Sequence, residues 1–210
     1  SKSHLGILRE QAQGVRKTVE SEGGEKSDNT PIYYTEWSSS SNPRDELHDD
    51  PYAAAFIVHT MLNMDELVDA YSWWTFSDIF EENYMPSKPF QGGFGLMNIH
   101  GIPKPAYRAY EILHSLGTEK LEVRGTHETV FVGAVRGENS VKVIIVNLAL
   151  PQHKIAAETV DIELSGIGKI ASSLMRRIDA NNANAKAKWK MQGEPRYPSP
   201  REVADMMDAS

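Results

Sequence analysis

The sequence predicts an α/β unit built on parallel strands, followed by an antiparallel β-sandwich. Two observations support this prediction. Up to about residue 117, apolar strands alternate with helices, and the long polar segments follow the strands, as in a parallel sheet or barrel. From about residue 120, short alternating strands are separated by Gly, Asn and Pro, a pattern typical of a sandwich. We therefore place a boundary near Gly117, between a domain over 1–117 and a domain over 118–210.

The first domain is predicted to contain three helices and two strands. The helices are indicated by apolar residues at helical spacing, by Pro51 at a first-turn position and by Gly117 as a stop signal. The strands are indicated by runs rich in aromatic and β-branched residues. In chain order the elements are a helix over 3–20, "IYYTEW", a helix from Pro51, "LVDAYSWWTF" and a helix over 105–116.

The second domain is predicted to contain four short strands and one closing helix. The strands are "ETVFVGAVRG", "SVKVIIVNLA", "AETVDIELSG" and "IASSLMRRID". The polar stretch "ANNANAKAKWKMQGEPRYP" that follows them is predicted to be irregular. Ser199 and Glu202 have the spacing of a capping box around Pro200, which predicts that a last helix begins there.

The composition excludes several classes of ligand. A formal net charge of -7 argues against a phosphate-backbone partner, so nucleic acid is not expected. The chain has no cysteine and its seven histidines form no H-x-x-x-H pair, so no metal and no other cofactor is predicted. No apolar run is long enough to span a bilayer. The lack of disulfides leaves the cellular compartment open.

Acidic residues follow both strands of the first domain. Glu36 lies in "PIYYTEWSSSS", where an apolar strand gives way to serines, and position alone fits a rim carboxylate as well as a reactive group. Glu81 and Glu82 lie in a long loop, where a charge cluster is more often simply solvated. Aromatic residues accompany them: Trp73, Trp74, Phe76 and Phe80. Because a tryptophan face can hold the C–H face of a sugar ring, these residues together suggest carbohydrate chemistry.

Three segments closely resemble one protein family. "YYTEW", "SWWTFSDIFEEN" and "FQGGFGLMNIHGIPKPAYRAYEILHSLG" are similar to the C-terminal third of the barrel in glycoside hydrolase family 39, the β-xylosidase and α-L-iduronidase family. The resemblance covers nearly all of 28–210. It implies about strands seven and eight of a TIM (β/α)8 barrel followed by an accessory β-sandwich. The chain is therefore expected to be a C-terminal fragment, and the sandwich is expected to be incomplete.

The resemblance also implies roles for individual residues. Glu36 matches the nucleophile of a retaining mechanism, which needs a second carboxyl group about 5 to 5.5 Å away. The family supplies that acid/base from an Asn-Glu pair on strand four, and no such pair precedes Glu36 here. The parent protein is thus expected to be a retaining exo-glycosidase, with β-xylosidase as the preferred activity, and the fragment alone is expected to be inactive. The residues expected to bind substrate are Glu81 or Glu82, Trp74, Phe76 and Trp37, and Trp74–Thr75 is a candidate non-proline cis peptide.

Two other functions stay open. A non-catalytic carbohydrate-binding or structural module would expose aromatic residues on its sandwich, yet 121–180 contain no Trp or Tyr and a single Phe, Phe131. An α-L-iduronidase-like activity would require a basic residue for the substrate carboxylate, and Arg44 and Lys88 are the nearby candidates. The expected partner is a xylo-oligosaccharide or another β-glycoside. The fragment is also expected to associate with itself or with the missing barrel segment, because barrel strands are buried on both faces.

Overall fold

The computed structural model describes residues 4–24, 30–64, 66–80 and 85–210. The helices are α1 Ile7–Glu22, α2 Pro51–Met64, α3 Pro105–His114, α4 Ala185–Met191 and α5 Pro200–Asp208, and Glu46–Asp49 form a 3-10 turn. The strands are β1 Tyr33–Trp37, β2 Ala70–Trp73, β3 Glu119–Lys120, β4 Val130–Arg136 and β5 Val141–Asn147. The three helices and two strands predicted for the first domain are therefore all present, with shorter strands.

Strands β1 and β2 pair in parallel, which confirms the predicted βα order. Tyr34 lies opposite Tyr71 and Trp37 lies opposite Trp73. Between these two pairs β1 advances by three residues (34 to 37) and β2 by two (71 to 73), so β1 carries one extra residue. Such a bulge bends a strand and changes the direction of its side chains. The bulge in β1 falls at Thr35 and Glu36.

Helix α2 is apolar on nearly all sides and packs in the centre of the fold. Ala53, Phe56 and Ile57 are almost completely buried, because the helix contacts the tryptophans of β1 and β2 as well as Ile144 and Val146 of β5. Each large side chain buried there contributes roughly 1.5–3 kcal/mol. The main core thus extends across the predicted boundary near residue 117, and that boundary stays a prediction.

The second sheet has three strands in the order β3-β4-β5, all antiparallel. The first two strands predicted for this region are confirmed as β4 and β5. The strands predicted at 157–166 and 170–179 were wrong. Among the described residues, no segment pairs with either range through a ladder of backbone hydrogen bonds. A β-strand is stable only when a neighbouring strand pairs with its backbone N–H and C=O groups. The described residues therefore contain one sheet here and not the two sheets of a sandwich.

The polar tail was predicted to be irregular, and this was wrong for helix α4. Asn184 caps α4 by accepting a hydrogen bond from the Ala187 N–H, and Trp189 is buried against Phe90 and Met206. An asparagine followed by Ala and Lys is a helix-start signal that the polarity of the stretch concealed. The capping box at α5 is confirmed, since the Ser199 side chain and the Glu202 side chain each bond the other residue's backbone N–H.

His59 predicts a pH dependence of stability. It lies in α2 against Phe131 of β4, with ring centroids 4.3 Å apart, and burial lowers its pKa from 6.5 to about 4. Between these values the unfolded chain binds a proton that the folded chain does not, so stability falls as the pH falls from about 6.5 to about 4. We expect a loss of roughly 1–3 kcal/mol over this range.

The measurement is the thermal midpoint of the protein at pH 7 and pH 5, with and without His59→Gln. Glutamine does not titrate, so the variant should lose less stability than the wild type on acidification. Burial also lowers the pKa of His48, and the remaining slope of the variant contains that contribution. Equal slopes for both proteins would contradict the assignment to His59.

The exposed apolar side chains of 155–175 predict that the 210-residue chain self-associates. Ile170, Leu174 and Met175 are 59, 84 and 78% exposed, and unpaired apolar segments of this kind commonly find a second chain. Sedimentation at increasing concentration should give a rising average mass. A chain carrying Leu174→Lys and Met175→Lys should associate less, whereas a clean monomer of the unsubstituted chain at high concentration would count against the prediction.

Candidate active site

Glu36 lies in the β1 bulge at the carboxyl end of the strand. Thr35 and Glu36 are both exposed, because the bulge interrupts the usual alternation of side chains. The carboxylate therefore faces solvent at the end where parallel α/β folds carry their reactive groups. The chain then enters the serine segment, in which Ser39 is buried.

Trp37 lies in the core. It is 7% exposed and its ring lies 5.2 Å from Trp73 and 5.4 Å from Tyr71. Burial of this kind does not favour the predicted contact between Trp37 and a substrate. The side chain instead fixes the end of β1, next to Glu36.

The segment after β2 brings an aromatic surface to the same end of the sheet. Trp74–Thr75 is a cis peptide, as the sequence comparison suggested, and the Trp74 N–H donates to the Trp37 carbonyl at 2.9 Å. Trp74 is half-buried and meets Phe80 edge to face at 5.2 Å. Phe76 is 64% exposed. We call residues 74–80 the aromatic segment.

Residues 92–97, which we call the glycine-rich segment, are hydrogen-bonded to the aromatic segment. Thr75 and Asp78 donate their N–H groups to the carbonyls of Phe94 and Met97, at 3.1 and 2.9 Å. A Cβ on Gly95 would lie 2.3 Å from the Asp78 nitrogen, so only glycine allows the two backbones to approach this closely. This confirms that the glycines serve a tight backbone path.

Lys104 forms the centre of a buried charged group that sequence reasoning missed. Its ammonium nitrogen lies 2.6 Å from an Asp49 carboxylate oxygen and 2.8 Å from Asp78, and it donates to the Gly93 carbonyl at 3.0 Å. The two carboxylates also accept from backbone N–H groups, Asp49 from Gly92 at 2.6 Å and Asp78 from Gly95 at 2.8 Å. We call Lys104, Asp49 and Asp78 the lysine cluster.

The lysine cluster joins the loop after β1 to both ends of the loop between β2 and α3, around one positive charge. Burial alone lowers the pKa of Lys104, but the two carboxylates outweigh burial and raise that pKa above its ordinary value. Burial is also the main reason why the pKa of Asp78 is raised, against the opposing effect of Lys104. One sequence signal could have revealed the cluster. Lys104 is the N-cap residue of α3, where the helix dipole disfavours a cation unless anions compensate it.

His48 adds a second connection between these loops. Its Nδ1 atom lies 3.0 Å from the Gly92 carbonyl and its Nε2 atom 3.2 Å from the Ser40 carbonyl. The ring also packs on Phe94, with centroids 4.9 Å apart. The loop that follows Glu36 is therefore attached to the glycine-rich segment at two points, His48 and Asp49.

A shallow cleft opens between the loops that follow β1 and β2. Arg44, Phe80, Gln91 and Phe94 are among the residues that line it. Lys88 instead lies over the Trp189 ring, 5.5 Å from its centroid, so of the two basic residues considered for a uronide only Arg44 lines the cleft.

Glu81 and Glu82 lie outside the described residues. Over the described ranges, no three His, Asp or Glu side chains come together as a metal site would need. No helix in those ranges is long and apolar enough to cross a bilayer.

The model of the glycosyl hydrolases family 39 matches residues 5–210. The chain belongs to this family. A beta-xylosidase of Caldicellulosiruptor saccharolyticus is 42% identical over 204 residues, which are 96% of this chain and 41% of the relative. A beta-xylosidase of Geobacillus stearothermophilus is 32% identical over 180 residues, 85% of this chain and 35% of the relative.

A solved beta-xylosidase structure has a fold similar to that of nearly the whole chain. The crystal structure of a monomeric beta-xylosidase from Caulobacter crescentus CB15 superimposes with a TM-score of 0.75 at 28% identity, over 99% of this chain and 43% of that protein. The present chain thus spans about two fifths of the length of the family 39 relatives that it matches. The sequence-based family assignment is confirmed.

Proposed function

We propose that the full-length protein to which these residues belong is a retaining exo-glycosidase of the β-xylosidase type. The observation that carries the proposal is the position of Glu36, an exposed carboxylate in a strand-end bulge beside the aromatic segment. Family membership and the two beta-xylosidase relatives support the choice of substrate. The substrate class is a xylo-oligosaccharide or another β-glycoside that ends in xylose.

Glu36 is the nucleophile in this proposal. Its carboxylate attacks the anomeric carbon and forms an ester bond while the bond to the leaving oxygen breaks, and a second carboxyl group protonates that oxygen. In the second step this group, now a carboxylate, takes a proton from water as the water oxygen attacks the same carbon. The ester bond breaks, Glu36 is released as a carboxylate, and the sugar keeps its original anomeric configuration.

The second carboxyl group is proposed to come from outside these 210 residues. The family motif that carries it, an Asn-Glu pair, does not precede Glu36. The 210-residue chain on its own is accordingly proposed to be inactive. In the full-length protein, residues 1–117 would complete a (β/α)8 barrel and residues 118–210 would belong to an accessory β-sandwich.

Aromatic and acidic residues after β2 are proposed to bind the terminal sugar. Trp74 and Phe76 present ring surface at the strand ends, and ring faces of this size match the apolar face of a pyranose. Glu81 or Glu82 is proposed to accept hydrogen bonds from the sugar hydroxyl groups. Trp37 supports this wall from the core and has little surface left for the sugar.

The proposal is tested by trapping the covalent intermediate. The full-length protein is incubated with a 2-deoxy-2-fluoro-β-xyloside that carries a good leaving group, digested, and analysed by mass spectrometry. We expect the sugar on the peptide that contains Glu36, and no label on the isolated 210-residue chain. A label on another carboxylate would refute the assignment of Glu36, and an inverted product would refute the retaining mechanism.

If the folded full-length protein hydrolyses none of the substrates tested, the enzyme proposal as a whole is refuted. The substrates to be compared are aryl β-xylosides, β-glucosides and uronides, the last because Arg44 lines the cleft. If none is hydrolysed, a non-catalytic carbohydrate-binding module is the function to be examined next.

A further inference from the structure

We propose that Asp78 is a positioning residue whose carboxylate, held by Lys104 and Gly95, fixes the aromatic segment at the end of β2 beside Glu36. This inference rests on the proposed function and goes beyond it, because it assigns a positioning role to a residue that lines the cleft while its carboxylate is bonded to Lys104 and Gly95. The carboxylate is 1% exposed and lies behind the aromatic segment.

The first argument is the place of Asp78 in the chain. It is four residues after Trp74 and two before Phe80, the two rings that meet edge to face. Its own N–H donates to the Met97 carbonyl at 2.9 Å. Both its backbone and its side chain are thus fixed, in the middle of the segment that carries the aromatic surface.

The second argument is the set of contacts that holds the Asp78 carboxylate. Oδ1 accepts from the Gly95 N–H and from Lys104, both at 2.8 Å, and Oδ2 lies 2.8 Å from Lys104. A Cβ on Gly93 would lie 2.4 Å from the carboxylate. These contacts restrict the position of the carboxylate, and with it the middle of the aromatic segment.

The third argument is a difference between the two acids of the lysine cluster. Asp49 immediately precedes Asp50 and helix α2, which the main core holds in place through several buried side chains. The aromatic segment has no helix of its own. Its anchors are the backbone bonds to 94–97, the bond from Trp74 to the Trp37 carbonyl, and the Asp78 carboxylate. Loss of the Asp78 carboxylate should therefore move the sugar-binding surface, whereas loss of the Asp49 carboxylate should chiefly lower stability.

The test compares Asp78→Asn with Asp49→Asn in the full-length protein. Each variant removes one carboxylate and leaves Lys104 paired with the other, so both should lower the thermal midpoint to a similar extent. We expect kcat/KM for an aryl β-xyloside to fall roughly 10- to 100-fold for Asp78→Asn, since small misplacements at an active site have effects of this size. The loss for Asp49→Asn should be several-fold smaller.

Gly93→Ala provides a second variant that keeps every charge. Its methyl group would displace the Asp78 carboxylate, so we expect the same direction of change as for Asp78→Asn, and the double variant should be less than additive. Gly14→Ala is the matched control, because nothing lies within 4 Å of its added carbon. If Asp78→Asn does not fold, Gly93→Ala decides the question.

Hydrogen exchange separates this proposal from the proposed function. In the Asp78→Asn variant, the backbone amides at positions 75 and 78 should exchange faster than in the Asp49→Asn variant, whether or not the protein hydrolyses the glycoside. If the wild-type protein has no activity, the proposed glycosidase function is refuted. The hydrogen-exchange comparison then still tests the role of Asp78. Equal kcat/KM in the two variants, or equal exchange of the aromatic segment, would overturn the proposal.

Discussion

Replacing Glu36 with glutamine in the full-length protein is expected to reduce hydrolysis of an aryl β-xyloside by on the order of 10⁴-fold or more. Glutamine keeps the size of the side chain but cannot form the ester with the anomeric carbon. Because Glu36 is exposed in a bulge, the thermal midpoint should change little. The measurement is kcat together with the midpoint of both proteins.

Two further variants make this result specific. Glu138→Gln removes an exposed carboxylate from the turn between β4 and β5 and should leave kcat unchanged. Glu36→Gly leaves a space for a small anion, so added azide should restore turnover and give a glycosyl azide of inverted configuration. If Glu36→Gln retained a tenth of the wild-type rate, or if azide had no effect on Glu36→Gly, Glu36 would not be the nucleophile.

Replacing Lys104 with methionine is expected to destabilise the full-length protein by roughly 3–5 kcal/mol. The ammonium is completely buried between two carboxylates that are themselves 1% exposed, and without it both acids would lie uncompensated in the interior. The loss should shrink as the pH falls, because burial raises the pKa of Asp78 and protonation neutralises its carboxylate. Thermal unfolding between pH 4 and 7 measures it.

The control for this prediction is a surface lysine of the same kind. Lys188 lies 3.6 Å from Asp205 with both side chains more than a third exposed, and Lys188→Met should cost no more than about 1 kcal/mol. Adding Asp49→Asn and Asp78→Asn to Lys104→Met should recover most of the lost stability. A Lys104→Met protein as stable as the wild type at pH 7 would show that the lysine cluster contributes nothing to folding.

Much of the first half of the fold could be predicted from the sequence, because its signals are local. Pro51 and Ser199 mark helix starts through their own backbone and side-chain chemistry, and the runs that form β1 and β2 have strand composition. The parallel pairing followed from the order of these elements. Glu36 was located at the end of β1 by the position of its strand, and its exposure agrees with that prediction.

The features that the sequence did not reveal depend on contacts between distant residues. Alternating residues in 157–166 indicate a strand, but the alternation carries no information about whether a neighbour pairs with it. Trp37 follows Glu36 directly, yet its burial depends on Phe56 and Trp73 in other elements. The charge of Lys104 looked like any surface charge, because its partners lie 55 and 26 residues before it (104 − 49 and 104 − 78).

The position of α2 limits how this family can exchange parts by recombination. The helix packs through Phe56 on Trp37, in the strand that carries Glu36, and through His59 and Leu62 on the sheet formed by β4 and β5. A chimera joined at Gly117 would unite an α2 from one parent with a β5 from another, and its Ile144 and Val146 would meet a surface that they had not evolved against. Hybrids should therefore tolerate a breakpoint ahead of β1, which takes β1, α2 and the β4–β5 sheet from one parent, better than one at the apparent domain boundary.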